Sequence, residues 1–147
     1  MSRRFKQIAV LIPALFAAAQ LIRPDRANPP TLASHTIEAQ VGNPNGLVAV
    51  LDRACGDCHS NGTVWPWYSE VAPVSWLMAY GVKEGRKAVN FSEWTTYSAD
   101  RQRQLLAASC ADVSANRMPG SAWISLHPEA RLSSQDIETI CAGAHRT

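Results

Sequence analysis

The sequence predicts an all-α fold. Apolar residues recur at helical spacing in several separate windows, and capping residues stand at the start of most of them. No stretch alternates apolar and polar residues for long enough to build a sheet. The 147 residues suffice for one domain rather than two. A content of 46% hydrophobic and 18% charged residues suits a modest core plus one apolar segment. The net charge of +2 leaves no electrostatic footprint for nucleic acid, and no such partner is expected.

The elements follow in order. Arg3, Arg4 and Lys6 precede an uncharged apolar run over 8–22. A basic stretch before such a run reads as a signal peptide or a signal-anchor helix. Ala17-Ala18-Ala19 offers a cleavage site, whereas Leu21 and Ile22 carry the apolar run past it. Residues 1–22 are therefore assigned to a signal peptide or membrane anchor, with membrane anchoring through 8–22. The remainder is expected in the periplasm, anchored on the periplasmic side of a bacterial inner membrane or secreted. Residues 23–45 carry Pro24, Pro29, Pro30 and Pro44 without apolar periodicity, and read as a Pro-rich linker. The folded domain is expected over 46–147.

Asn45 is placed to cap the first helix of that domain, whose face is Leu47, Val50, Leu51, Ala54 and Cys58. Pro66 keeps Val64-Trp65-Pro66-Trp67-Tyr68 irregular. Pro73 suits the first turn of a second helix reaching about Ala88, with Trp76, Leu77 and Tyr80 as its apolar face. Lys83, Arg86 and Lys87 favour its C-terminal end, and Gly81 and Gly85 are where a break would fall. Ser98 caps a third helix over 99–114, lined by Leu106, Cys110 and Val113. Ser133, with Asp136 three residues on, caps a last helix whose face is Ile137, Ile140, Cys141 and Ala144. The five tryptophans are expected mostly to fill the core.

The chemistry lies at the end of the first domain helix, in Cys55-Gly56-Asp57-Cys58-His59. Cys-x-x-Cys-His is the attachment signature of haem c. Two intervening residues turn both thiols towards one porphyrin edge, where they add to its vinyl groups. The next residue then lies under the iron, where its imidazole can coordinate. One haem c per chain is expected, covalently held by Cys55 and Cys58, with His59 on the iron. A redox dithiol would instead follow a strand at a helix N-terminus. A zinc site would need two further ligands, and Cys110 and Cys141 stand too far apart for the usual second knuckle. In an oxidising compartment Cys110 and Cys141 are the natural disulfide pair.

A second axial ligand is sought among Met and His. Met118, held before Pro119 and 59 residues beyond His59, is the candidate. His127, before Pro128, is the alternative. Met78 sits on a helix face, His35 in the linker and His145 at the chain end. A saturated iron shuttles single electrons with a redox partner rather than binding substrate, so an electron carrier and no enzyme is expected. A displaceable sixth ligand would make the protein a haem-based redox or gas sensor. A small haem peroxidase would need an open position and a distal acid–base pair.

Beyond the haem motif, the chain carries Ser60-Asn61, Trp65-Pro66-Trp67-Tyr68, Ala72-Pro73-Val74-Ser75-Trp76, Glu84-Gly85-Arg86 and Asn90-Phe91-Ser92-Glu93-Trp94. It also carries Gln20 to Arg26 before Asn28-Pro29-Pro30, and the tail Met118-Pro119, Leu126 to Ala130 and Leu132-Ser133. In these it resembles the haem-binding domain family of bacterial cytochrome c-like proteins over nearly its whole length. It departs from that pattern at Gly120-Ser121-Ala122-Trp123, where members often carry a further proline and an aromatic residue. The resemblance implies a small, mostly helical haem c domain, exported or membrane-associated: a cytochrome c-like helical domain wrapped around its haem.

Overall fold

A computed structural model describes residues 2–146. Among them are seven α-helices and five short 3-10 turns, and no strand. The all-α expectation holds.

Helix α1 (Arg3–Ala19) is capped by the Ser2 hydroxyl, which accepts from Phe5 N, and buries none of its residues. It ends at Gln20, whose side chain is taken up by the domain. Gln20 Nε2 donates to the Ala72 carbonyl at 3.3 Å, and Ala72 N–H donates back to Gln20 Oε1 at 2.9 Å. The apolar run 8–22 is therefore not one helix, because Leu21 and Ile22 lie past this hydrogen-bonded turn-off. No helix among the described residues is long and apolar enough to cross a membrane.

The stretch 23–45, expected to be a linker, is held along its length. Arg23 and Arg26 bond to Glu70, and Arg26 also donates to the Ser69 carbonyl at 3.2 Å. Asn28 Nδ2 reaches the Thr63 carbonyl at 2.8 Å. A short helix α2 (Ile37–Val41), capped by Thr36, puts Ile37 into the core. Its prolines set an extended path whose polar groups find partners on the domain, something no periodicity reveals.

Helix α3 (Leu47–His59) follows. Its N-cap residue is Gly46 rather than Asn45, and the first turn is satisfied from further upstream, where Asn43 Oδ1 accepts from Val48 N at 2.9 Å. Asn45 and Gly46 both have positive φ (54° and 78°) and are spent on the turn itself. Leu47, Val48, Leu51 and Ala54 are buried on one face of α3, against α7 (Ser134–Arg146) and α4 (Val74–Ala88). Helix α5 (Ala99–Ser114), capped by Ser98 as expected, packs along α7. Leu51, Trp94, Leu106 and Ile140 are fully buried at the centre. Asp136 Oδ2 accepts from Ser133 N and Asp136 N donates to Ser133 Oγ, which completes the expected capping box.

Two further expectations fail. Only Trp94 of the five tryptophans is buried; Trp67 is exposed, and Trp65, Trp76 and Trp123 lie half-buried at grooves and clefts. Helix α4 also turns another face inward. Ser75 and Val82 are buried, while Leu77 and Tyr80 face outward. It runs unbroken through Gly81 and Gly85, and the close approach at Gly85 described below sets its rotation.

Cys110 of α5 and Cys141 of α7 form a disulfide, with Cα atoms 4.8 Å apart and a separation of 31 positions in sequence. Closing a loop of this size restricts the unfolded chain by about 3.5–4 kcal/mol in the chain-entropy model. Replacing both cysteines by serine is expected to lower stability by about that amount. Denaturant unfolding measures it, and an unchanged midpoint would refute a stabilising role for the bond.

Candidate functional site

The last turn of α3 presents Cys55, Cys58 and His59 to a narrow cleft. Met118, Pro119, Gly120 and Trp123 line its opposite wall. These come from the loop after α5 and from helix α6 (Ser121–Leu126). The four residues singled out in the sequence thus meet at one place, although 59 positions separate His59 from Met118. At about 100 Å³ the cleft is small, and it would have to widen to take a porphyrin.

The donor set fits a haem on its chemistry. Cys55 and Cys58 are the free thiols among the described residues, since Cys110 and Cys141 are bonded to each other. That bond also removes Cys110 and Cys141 from any zinc site. Burial pushes the Cys55 thiol up to about 12, with Cys58 adding to the effect, and burial raises Cys58 as well. A redox dithiol needs the reverse, a thiol lowered towards thiolate by its surroundings. His59 Nδ1 donates to the Val89 carbonyl at 3.2 Å, which fixes the ring and leaves Nε2 as the nitrogen available to a metal. Burial lowers the His59 pKa, partly offset by the bond to Val89, and so favours the neutral imidazole that a metal requires.

His127 lies elsewhere. Its Nδ1 donates to Glu129 Oε1 at 2.9 Å and its Nε2 accepts from the Tyr68 hydroxyl. Its ring stacks on Trp123, with centroids 3.7 Å apart and planes 11° apart. With both nitrogens engaged, His127 backs the tryptophan that lines the cleft.

What braces the haem motif was not apparent in the sequence. Arg86 of α4 donates from Nε to the Ser60 carbonyl at 2.8 Å. Its Nη1 reaches the Ala27 carbonyl at 3.0 Å, and its Nη2 reaches Asn28 Oδ1 and Thr63 Oγ1 at 2.9 Å each. One side chain ties the 23–45 stretch, the residue after His59 and the following loop together. Below it, buried Asn90 donates to Asn61 Oδ1 at 2.7 Å, and Asn61 N donates to Ser92 Oγ at 3.0 Å. Thr63 Oγ1 donates to the Asp57 carbonyl at 2.6 Å, inside the motif itself. The available signal was the clustering of Asn, Ser, Thr and Arg around the motif in a chain with few charges.

The class of protein that this fold and cleft define is a helical haem-binding domain. The model of the haem-binding domain family matches residues 14–146, and the chain belongs to that family. No curated protein and no solved structure matches it.

Gly85 and Gly81 sit four residues apart in α4 and separate packing from propensity. A Cβ on Gly85 would stand 2.5 Å from the Cys58 carbonyl oxygen and 3.1 Å from Cys58 Cβ. A Cβ on Gly81 would meet nothing within 4 Å. Gly85→Ala is expected to cost about 1–3 kcal/mol and to disturb the cysteine spacing. Gly81→Ala is expected to stabilise by up to about 1 kcal/mol through helix propensity. Thermal unfolding of the two variants decides it, and equal effects would remove Gly85's special role.

Proposed function

We propose that the chain is an exported c-type cytochrome domain that holds one haem through Cys55 and Cys58 and carries single electrons. The observation that carries this reading is the meeting of Cys55, Cys58, His59 and Met118 at one cleft. His59 and Met118 would be the residues that hold the iron. The bound haem supplies a one-electron couple between ferrous and ferric iron. The Val89 carbonyl holds the half-buried His59 ring in one orientation. Trp123, braced by His127, supplies an apolar wall next to the Met118 loop. With His59 and Met118 both given to the iron, no position would be left for substrate, and the partner would be a redox protein rather than a small molecule.

Export has two supports. Disulfides such as Cys110–Cys141 persist in oxidising compartments. Arg3, Arg4 and Lys6 also stand at the head of α1, whose apolar residues are all left uncovered by the domain. We assign α1 to the membrane as a signal anchor. Its 17 residues span about 26 Å, a few ångströms short of a typical hydrocarbon core of about 30 Å.

Attachment is tested by haem staining after denaturing electrophoresis. Protein made in the periplasm is expected to keep its haem, and Cys55→Ala or Cys58→Ala to lose most of it. A wild-type band without covalent haem would overturn the c-type assignment. Ligation is tested by spectroscopy of the oxidised protein, expected to be low-spin with the weak near-infrared band of sulfur-to-iron charge transfer. Met118→Ala is expected to remove that band, lower the reduction potential and open the iron to carbon monoxide or cyanide. An unchanged spectrum in Met118→Ala together with a changed one in His127→Ala would transfer the ligand role to His127. A wild type that is high-spin and binds carbon monoxide freely would favour a sensor or peroxidase over a carrier.

A further inference from the structure

We propose that the folded domain itself rests on the lipid bilayer, through the outer face of α4 together with Leu21 and Ile22. This rests on the reading of α1 as membrane-embedded, and it assigns a second lipid-contacting surface that the anchor alone does not require.

Leu77 and Tyr80 of α4 are 69% and 65% exposed, and Leu21 and Ile22 are 84% and 63% exposed. Large apolar side chains seldom cluster in the open on a soluble surface without a partner. The residues are neighbours because hydrogen bonds pin the end of α1 to the start of α4. Trp76 Nε1 donates to the Ile22 carbonyl at 2.9 Å, beside the paired bonds of Gln20 with Ala72. The apolar surface of α1, with Ile8, Leu11, Ile12, Leu15 and Phe16 all exposed, therefore runs on through Leu21 and Ile22 to the face of α4. That continuity selects lipid as the occupant, since whatever surrounds the end of α1 also meets this face.

The chemistry at the edge agrees. Between α4 and the chain after α1 lies a groove of about 540 Å³, bordered by Trp65, Trp76 and Tyr80 with Lys83 as the available cation, since the Arg86 guanidinium beside it is spent on Ser60, Ala27, Asn28 and Thr63. Aromatic rings and basic side chains together are what the headgroup layer favours, the rings for their amphipathic outline and the cations for anionic lipid. The acidic groups of this region are mostly engaged. Glu84 pairs with Lys87 at 2.7 Å, and Glu70 with Arg23 and Arg26, while Asp25 borders the groove without an ion pair among the described residues. Docking also answers the short anchor. A helix a few ångströms too short draws apolar flanking groups into the interface, and Leu21, Ile22 and Leu77 are those groups. With its inner side on α3 at Cys58, α4 would then stand between the bilayer and the haem motif and fix the height of the cleft above the membrane.

The test uses the full holoprotein in vesicles of phosphatidylethanolamine and phosphatidylglycerol. With Cys55 and Cys58 in thioethers and Cys110 and Cys141 in their disulfide, an introduced cysteine is the single free thiol. Ile12→Cys, Leu77→Cys, Tyr80→Cys and Ala107→Cys, all at exposed positions, are labelled with a small polarity-sensitive fluorophore. The haem spectrum reports that each is folded. Quenching by nitroxide-bearing lipid is compared with quenching by iodide in the water. Labels at 12, 77 and 80 are expected to be quenched several-fold more by lipid than by iodide, and the label at 107 by iodide alone. A label at 12 quenched by lipid with 77 and 80 open to iodide overturns the docking and leaves the anchor in place. Labels at 77 and 80 shielded from both quenchers overturn it in favour of a protein partner or a second copy of the chain. Iodide quenching at all four positions overturns the anchor and the docking together.

Discussion

Helix α4 approaches the end of α3 so closely that one methyl group at Gly85 would collide with the backbone of Cys58. Much of the structure around the haem motif depends on that approach. It sets the rotation of α4, turning Val82 and Ser75 inward and Leu77 and Tyr80 out. It brings Val89, just past the end of α4, within hydrogen-bonding distance of His59 and so decides which imidazole nitrogen is left for a metal. It also carries Arg86 to the one position from which a guanidinium reaches residues 27, 28, 60 and 63 together. A haem c motif needs its two sulfurs and one nitrogen held in register, and a helix end frays unless something outside it accepts its unpaired groups.

The opposite wall of the cleft is built on a different plan. Met118 and Trp123 sit in a loop and a six-residue helix, held by the stacking of His127 on Trp123 and by that histidine's bonds to Tyr68 and Glu129. The α3 side is half-buried and braced by α4, whereas the Met118 side is carried by few elements. This asymmetry suits a site that must admit a large flat cofactor before closing on it. The disulfide between α5 and α7 steadies the helix from which the Met118 loop departs.

The haem motif, the boundaries of the longer helices and the Cys110–Cys141 pairing were legible because each follows from residues near one another or from simple elimination. Ser98 and Ser133 cap the helices they were assigned, since a cap is a contact over three residues. Misreadings arose where a residue's role depends on a distant partner. Pro-rich residues 23–45 looked like a tether because their partners, Glu70, Thr63 and Arg86, lie some 35 to 60 positions away. The tryptophans looked like core because size was the only clue available.

By itself the sequence determined the donor set, two thiols and an imidazole within five residues, and the helical segments that carry it. It determined these because motif spacing and helix capping are local, set by covalent spacing and backbone geometry. Only the tertiary structure decided that Met118, and not His127, lines the cleft with His59, that Gly85 is a contact rather than a break, and that α4 turns Leu77 and Tyr80 outward. Those outcomes depend on which surfaces meet when the helices pack, and the shape of that meeting is a property of the assembled chain that no single segment encodes.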